Sequence, residues 1–172
     1  NGDNGSITLS DPVGKNVWLL DSSNNILAVV DYDQGLIDAS GSSGEKILIG
    51  RDNVTDEIIA GSGNTSLWGG FGFSDDTLTG GDGEDVYWFG KGDGHDVINN
   101  STYSDRVMLW DVSLADVTSI DINSEKISVG FNAGGTLEIN GQGNGNIAST
   151  FTLANDQTTW QYDHNNKSWR IV

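Results

Sequence analysis

The chain has no cysteine, a single proline, and only eight Lys and Arg residues against twenty-five Asp and Glu. Without cysteine it has neither a disulfide framework, nor a thiolate metal centre, nor a cysteine nucleophile. The resulting net charge of -17 argues against nucleic acid and anionic membrane surfaces as partners, because both would repel it. No apolar run approaches the roughly 20 residues that a membrane span needs. Motifs that organise common catalytic sites are missing too: there is no Gly-x-Ser-x-Gly elbow, no phosphate-cradling loop and no His-Glu-x-x-His helix. His95 stands at a variable position of a repeat and His164 in a polar turn, so neither is expected to act as a base. No catalytic residue is expected.

What the chain does have is glycine, 24 residues of it in a length of 172, and much of it is periodic. Gly80-Gly81-Asp82-Gly83-Glu84-Asp85-Val86-Tyr87-Trp88 and Lys91-Gly92-Asp93-Gly94-His95-Asp96-Val97-Ile98-Asn99 both fit G-G-x-G-x-D-x-U-x, with U a large apolar residue and Lys91 replacing the first glycine of the second block. The glycines permit a tight turn in which carbonyl oxygens converge, and the Asp at position 6 adds a carboxylate to them. An all-oxygen cage of that kind suits a hard cation with flexible geometry, and calcium is the natural choice. The triplet x-U-x forms a minimal strand with U pointing inward.

The register extends in both directions. Position 6 is filled by Lys46, Asp56, Thr65, Asp76, Asp85, Asp96 and Asp105, and position 8 by Leu48, Ile58, Leu67, Leu78, Tyr87, Ile98 and Val107. Every position 8 is apolar. Asp56, Asp76 and Asp96 are spaced twenty apart and are expected to stack on one edge, with Lys46, Thr65, Asp85 and Asp105 on the other.

These residues resemble the hemolysin-type (RTX) calcium-binding repeat family, whose nonapeptide pattern the two blocks share. The resemblance implies an all-β fold: a parallel β-roll, with each ion shared by consecutive loops on one edge. It places calcium between the loops of Asp76 and Asp96, with Gly72, Gly92 and Gly94 in the turns. A second site would use Asp85 with Gly81 and Gly83, helped by Asp105. About two to three ions are implied. The loop before Asp56 (Asp52-Asn53-Val54-Thr55) lacks the glycines, so Asp56 departs most from the pattern. Lys46 stands where a ligand belongs and cannot coordinate calcium; its ammonium is expected to replace an ion. The alternative is a roll whose glycine turns persist for shape alone.

The flanks read as β-strand-rich caps, residues 1–38 before the roll of 39–107 and residues 108–172 after it. In the first, Ser6–Leu9, Asn16–Leu20 and Asn25–Val30 are apolar runs separated by turn residues. In the second, Asn132-Ala133-Gly134-Gly135 is a hairpin connection and Ser113–Asp116 can cap one helical turn. The chain starts at Asn1 without methionine and reads as the C-terminal piece of a larger secreted or cell-surface bacterial protein. By the resemblance, its partners would be calcium, upstream domains of the parent protein and the type I secretion machinery, whose signal would fall in the tail. Six tryptophans and four tyrosines supply a different prospect, a module that binds cell-surface polysaccharide, with Trp68 and Trp88 as its stacking platforms. Trp18, Trp110, Trp160 and Trp169 lie in strand-like runs and are expected to be packed.

Overall fold

The computed structural model describes residues 8–10, 17–20, 26–30, 35–123, 125–142, 146–148, 150–163 and 165–172. It is all-β. The strands are β1 (Thr8–Ser10), β2 (Val17–Leu20), β3 (Ile26–Val30), β4 (Leu36–Asp38), β5 (Lys46–Ile49), β6 (Glu57–Ile59), β7 (Thr65–Trp68), β8 (Thr77–Thr79) and β9 (Val86–Phe89). They continue with β10 (His95–Ser101), β11 (Arg106–Leu109), β12 (Val117–Ile122), β13 (Lys126–Phe131), β14 (Thr136–Gly141), β15 (Thr150–Leu153), β16 (Thr158–Asp163) and β17 (Ser168–Ile171). No α-helix occurs among the described residues; Leu114–Asp116 make one 3-10 turn, where Ser113 Oγ donates to Asp116 Oδ2 at 2.8 Å.

Two sheets rich in parallel pairing take up all seventeen strands. One runs β1-β2-β3-β5-β7-β9-β11-β15-β16-β17, the other β12-β13-β14-β10-β8-β6-β4. From β3 to β11 successive strands therefore alternate between the sheets, and each pairs in parallel with the strand two later. The register steps by two blocks of the pattern, twenty residues: Glu57 lies opposite Thr77, and Thr77 opposite Val97. Parallel pairing does not stop at Val107, for β14 joins β10 and β15 joins β11 in the same sense. At the ends the pairing becomes antiparallel, β1-β2-β3 on one side and β15-β16-β17 and β12-β13-β14 on the other. The expected hairpin at Asn132–Gly135 connects β13 to β14, with Gly134 at φ 93°.

Strand periodicity explains the core. Alternate residues of a strand point to opposite faces, so positions 6 and 8 share the inward face while position 7 looks out. All seven residues at position 8, from Leu48 to Val107, are buried. Both sheets contribute to one core, which Phe131, Leu137, Ile139, Phe151 and Leu153 extend beyond the glycine-rich region. Truncating any one of these large side chains to Ala would cost about 2–5 kcal/mol. Position 6 is inward as well. There the chain buries not apolar groups but Lys46, Asp56, Thr65, Asp76, Asp85, Asp96 and Asp105.

Candidate metal centre

The position-6 residues stack as two columns. On one, the Asp56 N–H donates to Asp76 Oδ1 at 2.8 Å and the Asp76 N–H to Asp96 Oδ1 at 3.0 Å. On the other, the Thr65 N–H donates to Asp85 Oδ1 and the Asp85 N–H to Asp105 Oδ1, both at 2.9 Å. Each carboxylate thus fastens one oxygen to the backbone twenty residues earlier. The second oxygen turns to its own loop: Asp85 Oδ2 accepts from the Gly81 N–H at 3.0 Å, and Asp105 Oδ2 from the Thr102 N–H at 2.7 Å. Asp76 Oδ2 receives only a long bond of 3.4 Å from Ser74 Oγ.

Close stacking of the turns explains the glycines. A Cβ on Gly81 would stand 1.5 Å from the Gly61 carbonyl oxygen, and one on Gly94, which also has φ 86°, would stand 1.9 Å from that of Ser74. No side chain fits in either place, so carbonyls of adjacent loops are pressed into the turn. Gly83 is packed in the same way against Gly63, and Gly72 against Asn53 with φ 109°. Gly92 differs: a Cβ there would meet nothing, and its glycine is not required by packing.

Each column begins with a cation of its own. Lys46 Nζ is buried among carbonyl oxygens, donating to Ser43 at 3.0 Å and Gly44 at 3.2 Å. Arg51 donates through Nε and a terminal nitrogen to Asp56 Oδ1 at 3.1 and 2.7 Å. Asp56, grouped by sequence with the metal ligands, therefore has its charge met by a guanidinium. Further along neither column offers anything comparable. Among the described residues ion pairs join Arg51 to Asp56, Lys91 to Asp116 and Lys126 to Glu138, and no Lys or Arg stands against Asp76, Asp85, Asp96 or Asp105.

The electrostatic consequence is large. Asp76, Asp85 and Asp105 are each 1 % exposed and Asp96 2 %. Burial, aggravated by the neighbouring Asp56, pushes the Asp76 carboxyl up to about 7. Burial raises Asp96 to about 8, with Asp76 and Asp93 adding repulsion, and Asp85 to about 6, with Asp105 adding to it. Asp105 is raised for the same reason. A buried carboxylate without a counter-charge is strongly disfavoured, so each of these groups is held as an acid or must be offered a cation.

Two residues do not stand out in the sequence. Asp93, at a variable position of its block, is buried, accepts from the Gly90 N–H at 2.7 Å, and has its carboxyl raised by burial. Asp82, at the same position of the preceding block, is not buried. Tyr87 is wholly buried, and its hydroxyl has no hydrogen-bond partner although it lies within the influence of Asp85 and Asp105. Its oxygen is a neutral donor atom left unused beside two carboxylates. His95 is exposed, with Nδ1 at 2.7 Å from Thr136 Oγ1; His164 lies outside the described residues.

This donor set fits a calcium ion. Carboxylates lacking counter-charge and carbonyls compressed into the turns are oxygen donors of the kind calcium takes, and the ammonium of Lys46 already occupies one carbonyl cradle. No group of three or more acidic, His or Cys side chains converges among the described residues. A calcium site in these turns would instead draw most of its oxygens from the main chain. Comparison with protein-family models and with characterised proteins returns no match for this chain.

Proposed function

We propose that this chain is a non-catalytic calcium-binding β-roll module of the RTX type, part of a larger protein secreted by a bacterium or held on its surface. In this reading the two sheets and their connecting turns form the stacked coils of the roll. Calcium completes the folding outside the cell. The observation that carries the reading is the contrast within each column: Lys46 and Arg51 supply positive charge at the start, and among the described residues no Lys or Arg supplies it at Asp76 and Asp96 or at Asp85 and Asp105.

Calcium would be held between the loops of Asp76 and Asp96, with carbonyls of the turns containing Gly72, Gly92 and Gly94, and at Asp85 and Asp105 with the turn of Gly81 and Gly83. The ion supplies the charge that permits these carboxylates to ionise inside the fold. In the cytoplasm, where calcium is scarce, their repulsion and burial oppose closure of the roll, which suits a chain that passes the type I secretion machinery unfolded. Extracellular calcium modules bind at roughly 10⁻⁴ to 10⁻³ M. With about 1 mM ion and a dissociation constant of about 0.1 mM, each site adds about 1.4 kcal/mol. Two or three sites then contribute about 3–4 kcal/mol, a large share of the 5–15 kcal/mol typical of a domain.

The test is a calcium titration of the metal-stripped chain, followed by far-UV circular dichroism and calorimetry. Binding of two or more ions, with β-structure or thermal stability gained in parallel, is expected. A stripped chain that is fully stable and takes up no calcium would leave the turns with a structural role alone.

A further inference from the structure

On the outer face of the longer sheet lies a cleft of about 270 Å³ whose lining is entirely aromatic: Trp68, Phe71, Trp88 and Trp110. Strand pairing makes it. Trp68 and Trp88 are directly opposed on β7 and β9, while Phe71 and Trp110 come from the segments that follow β7 and β11. Trp88 is 36 % and Phe71 46 % exposed, large apolar areas to leave in water.

Phe71 stands across its neighbours. It meets Trp68 edge-on at 4.5 Å and 86°, and meets Trp110 at 5.5 Å and 83°. It is therefore at right angles to both indoles that it touches, as one side of a box. A flat pyranose stacks on one ring face and needs polar groups around it for its hydroxyls; this lining supplies none. A compact, rounded cation with an apolar skin is the better complement of an all-aromatic cleft with walls set at right angles, since aromatic faces attract it.

Charge around the cleft has the matching sign. Lys and Arg are missing from the lining, and the chain as a whole carries -17. Behind the indoles lies the buried Asp93. Trp68 Nε1 reaches toward its Oδ2 at 3.4 Å, and the Trp110 indole nitrogen is buried without a hydrogen bond.

We propose that this cleft is a binding site for quaternary ammonium groups, of the kind that choline-bearing and other methylated-amine ligands present. It does not depend on the calcium reading, because the box is built from ring faces on the outside of the sheet and the position-6 columns lie inside.

The test is a titration of the intact chain, in calcium-containing buffer, with choline and with tetramethylammonium, read by tryptophan fluorescence and by calorimetry. The neutral isostere of choline, 3,3-dimethylbutan-1-ol, and a soluble β-glucan are titrated in parallel. Saturable binding of both cations is expected, with the isostere at least about tenfold weaker because it lacks the cation–π attraction. Trp88→Ala should abolish the signal, with far-UV dichroism unchanged. Equal binding of isostere and choline would overturn the proposal in favour of a merely apolar cleft. Binding of the glucan without the cations would make it a sugar site, and no saturation by either cation at concentrations on the order of tens of millimolar would remove it. These comparisons use the unmodified chain, so they decide the matter even if a variant fails to fold.

Discussion

The beginning and the continuation of each position-6 column solve the same problem in different ways. Both bury polar groups in the turns between strands. At the beginning the chain balances them itself, with Lys46 among the carbonyls of Ser43 and Gly44 and with Arg51 on Asp56. Further along, the same inward positions hold Asp76 and Asp85, and after them Asp96 and Asp105, with no Lys or Arg against any of them among the described residues. The first arrangement is complete at all times. The second is complete only when protons or a cation arrive, and that difference is where a folding switch would act.

Proton concentration should therefore separate the two regions most strongly. Asp76, Asp85 and Asp96 have folded-state values raised to about 7, 6 and 8 from an ordinary 3.8. Between those limits the folded chain binds more protons than the unfolded one, so stability falls as pH rises. The contribution is fully present below about pH 4 and is lost as pH climbs through about 6 to 8. Three carboxyls that are each only about tenfold weaker acids in the folded chain than in the unfolded one already amount to about 4 kcal/mol. We expect the metal-free chain to melt at a higher temperature near pH 5 than near pH 8, and calcium to flatten that slope. A metal-free melting temperature that rises from pH 5 to pH 8 would contradict the account of these buried acids.

Arg51→Met attacks the self-balanced region. It strands the fully buried Asp56 side chain without its partner, and a loss of about 3 kcal/mol is expected, alike in calcium and in chelator. Urea denaturation under both conditions measures it. Recovery of most of the loss in Arg51→Met/Asp56→Asn would identify the stranded charge as the cause. A loss seen only without calcium would mean that the ion can substitute for Arg51, and the contrast between the regions would weaken.

Much of this arrangement can be read in the sequence, and the reasons why are local. The alternation that puts Leu78 and Ile98 in the core also puts Asp76 and Asp96 there, two residues away on the same face of a strand. A period of twenty then stacks them, as the hydrogen bonds from Asp56 to Asp76 and from Asp76 to Asp96 reflect. Other features depend on contacts that no period encodes. Asp82 and Asp93 occupy the same variable position in successive blocks, but only Asp93 folds back to the Gly90 N–H and is buried. Arg51 replaces the first glycine of its block, a visible departure whose meaning appears only once its side chain is found on Asp56. The strands β14 and β15 lie outside the nonapeptide pattern, which is why the sequence assigns them to a cap, yet they continue the parallel pairing of β10 and β11. Trp110, expected to be packed, lies against Phe71 with its indole nitrogen buried, and it also lines the outer cleft.

Converting one kind of turn into the other sharpens the comparison further. Lys46→Asp exchanges a built-in ammonium for a carboxylate in the same carbonyl cradle. It should raise the calcium stoichiometry by one and make stability more calcium-dependent by about 1.4 kcal/mol at 1 mM ion. Asp96→Asn is the reverse experiment. In chelator it should be neutral or stabilising, because it removes a carboxyl that must take up a proton to be buried, and in calcium it should cost about the same 1.4 kcal/mol through a lost ligand. The crossing of the two curves is the signature. Calorimetric titration and thermal melts at about pH 7.5, well above the ordinary carboxylate range, would reveal it. A variant that is equally destabilised with and without calcium would assign Asp96 to its hydrogen bond with Asp76 alone.

The smallest effect belongs to one oxygen atom. Tyr87 fills an apolar position of the core with a hydroxyl that finds no hydrogen-bond partner beside Asp85 and Asp105. In the absence of metal that group contributes a desolvation cost, so Tyr87→Phe should leave the chelated chain unchanged or stabilise it by up to about 1 kcal/mol. The ring itself is retained, and no cavity is created apart from the missing oxygen. If the hydroxyl has a role, it emerges only when a cation is drawn into the neighbouring turns, and the same substitution should then lower calcium affinity at the Asp85 column while sparing the Asp76 column. A titration of Tyr87→Phe that loses one class of site by a fewfold would tie the hydroxyl to the metal. Unchanged affinity combined with a gain in chelator would make it a flaw in the packing that the fold tolerates, and the second column would then rest on its carboxylates and carbonyls alone.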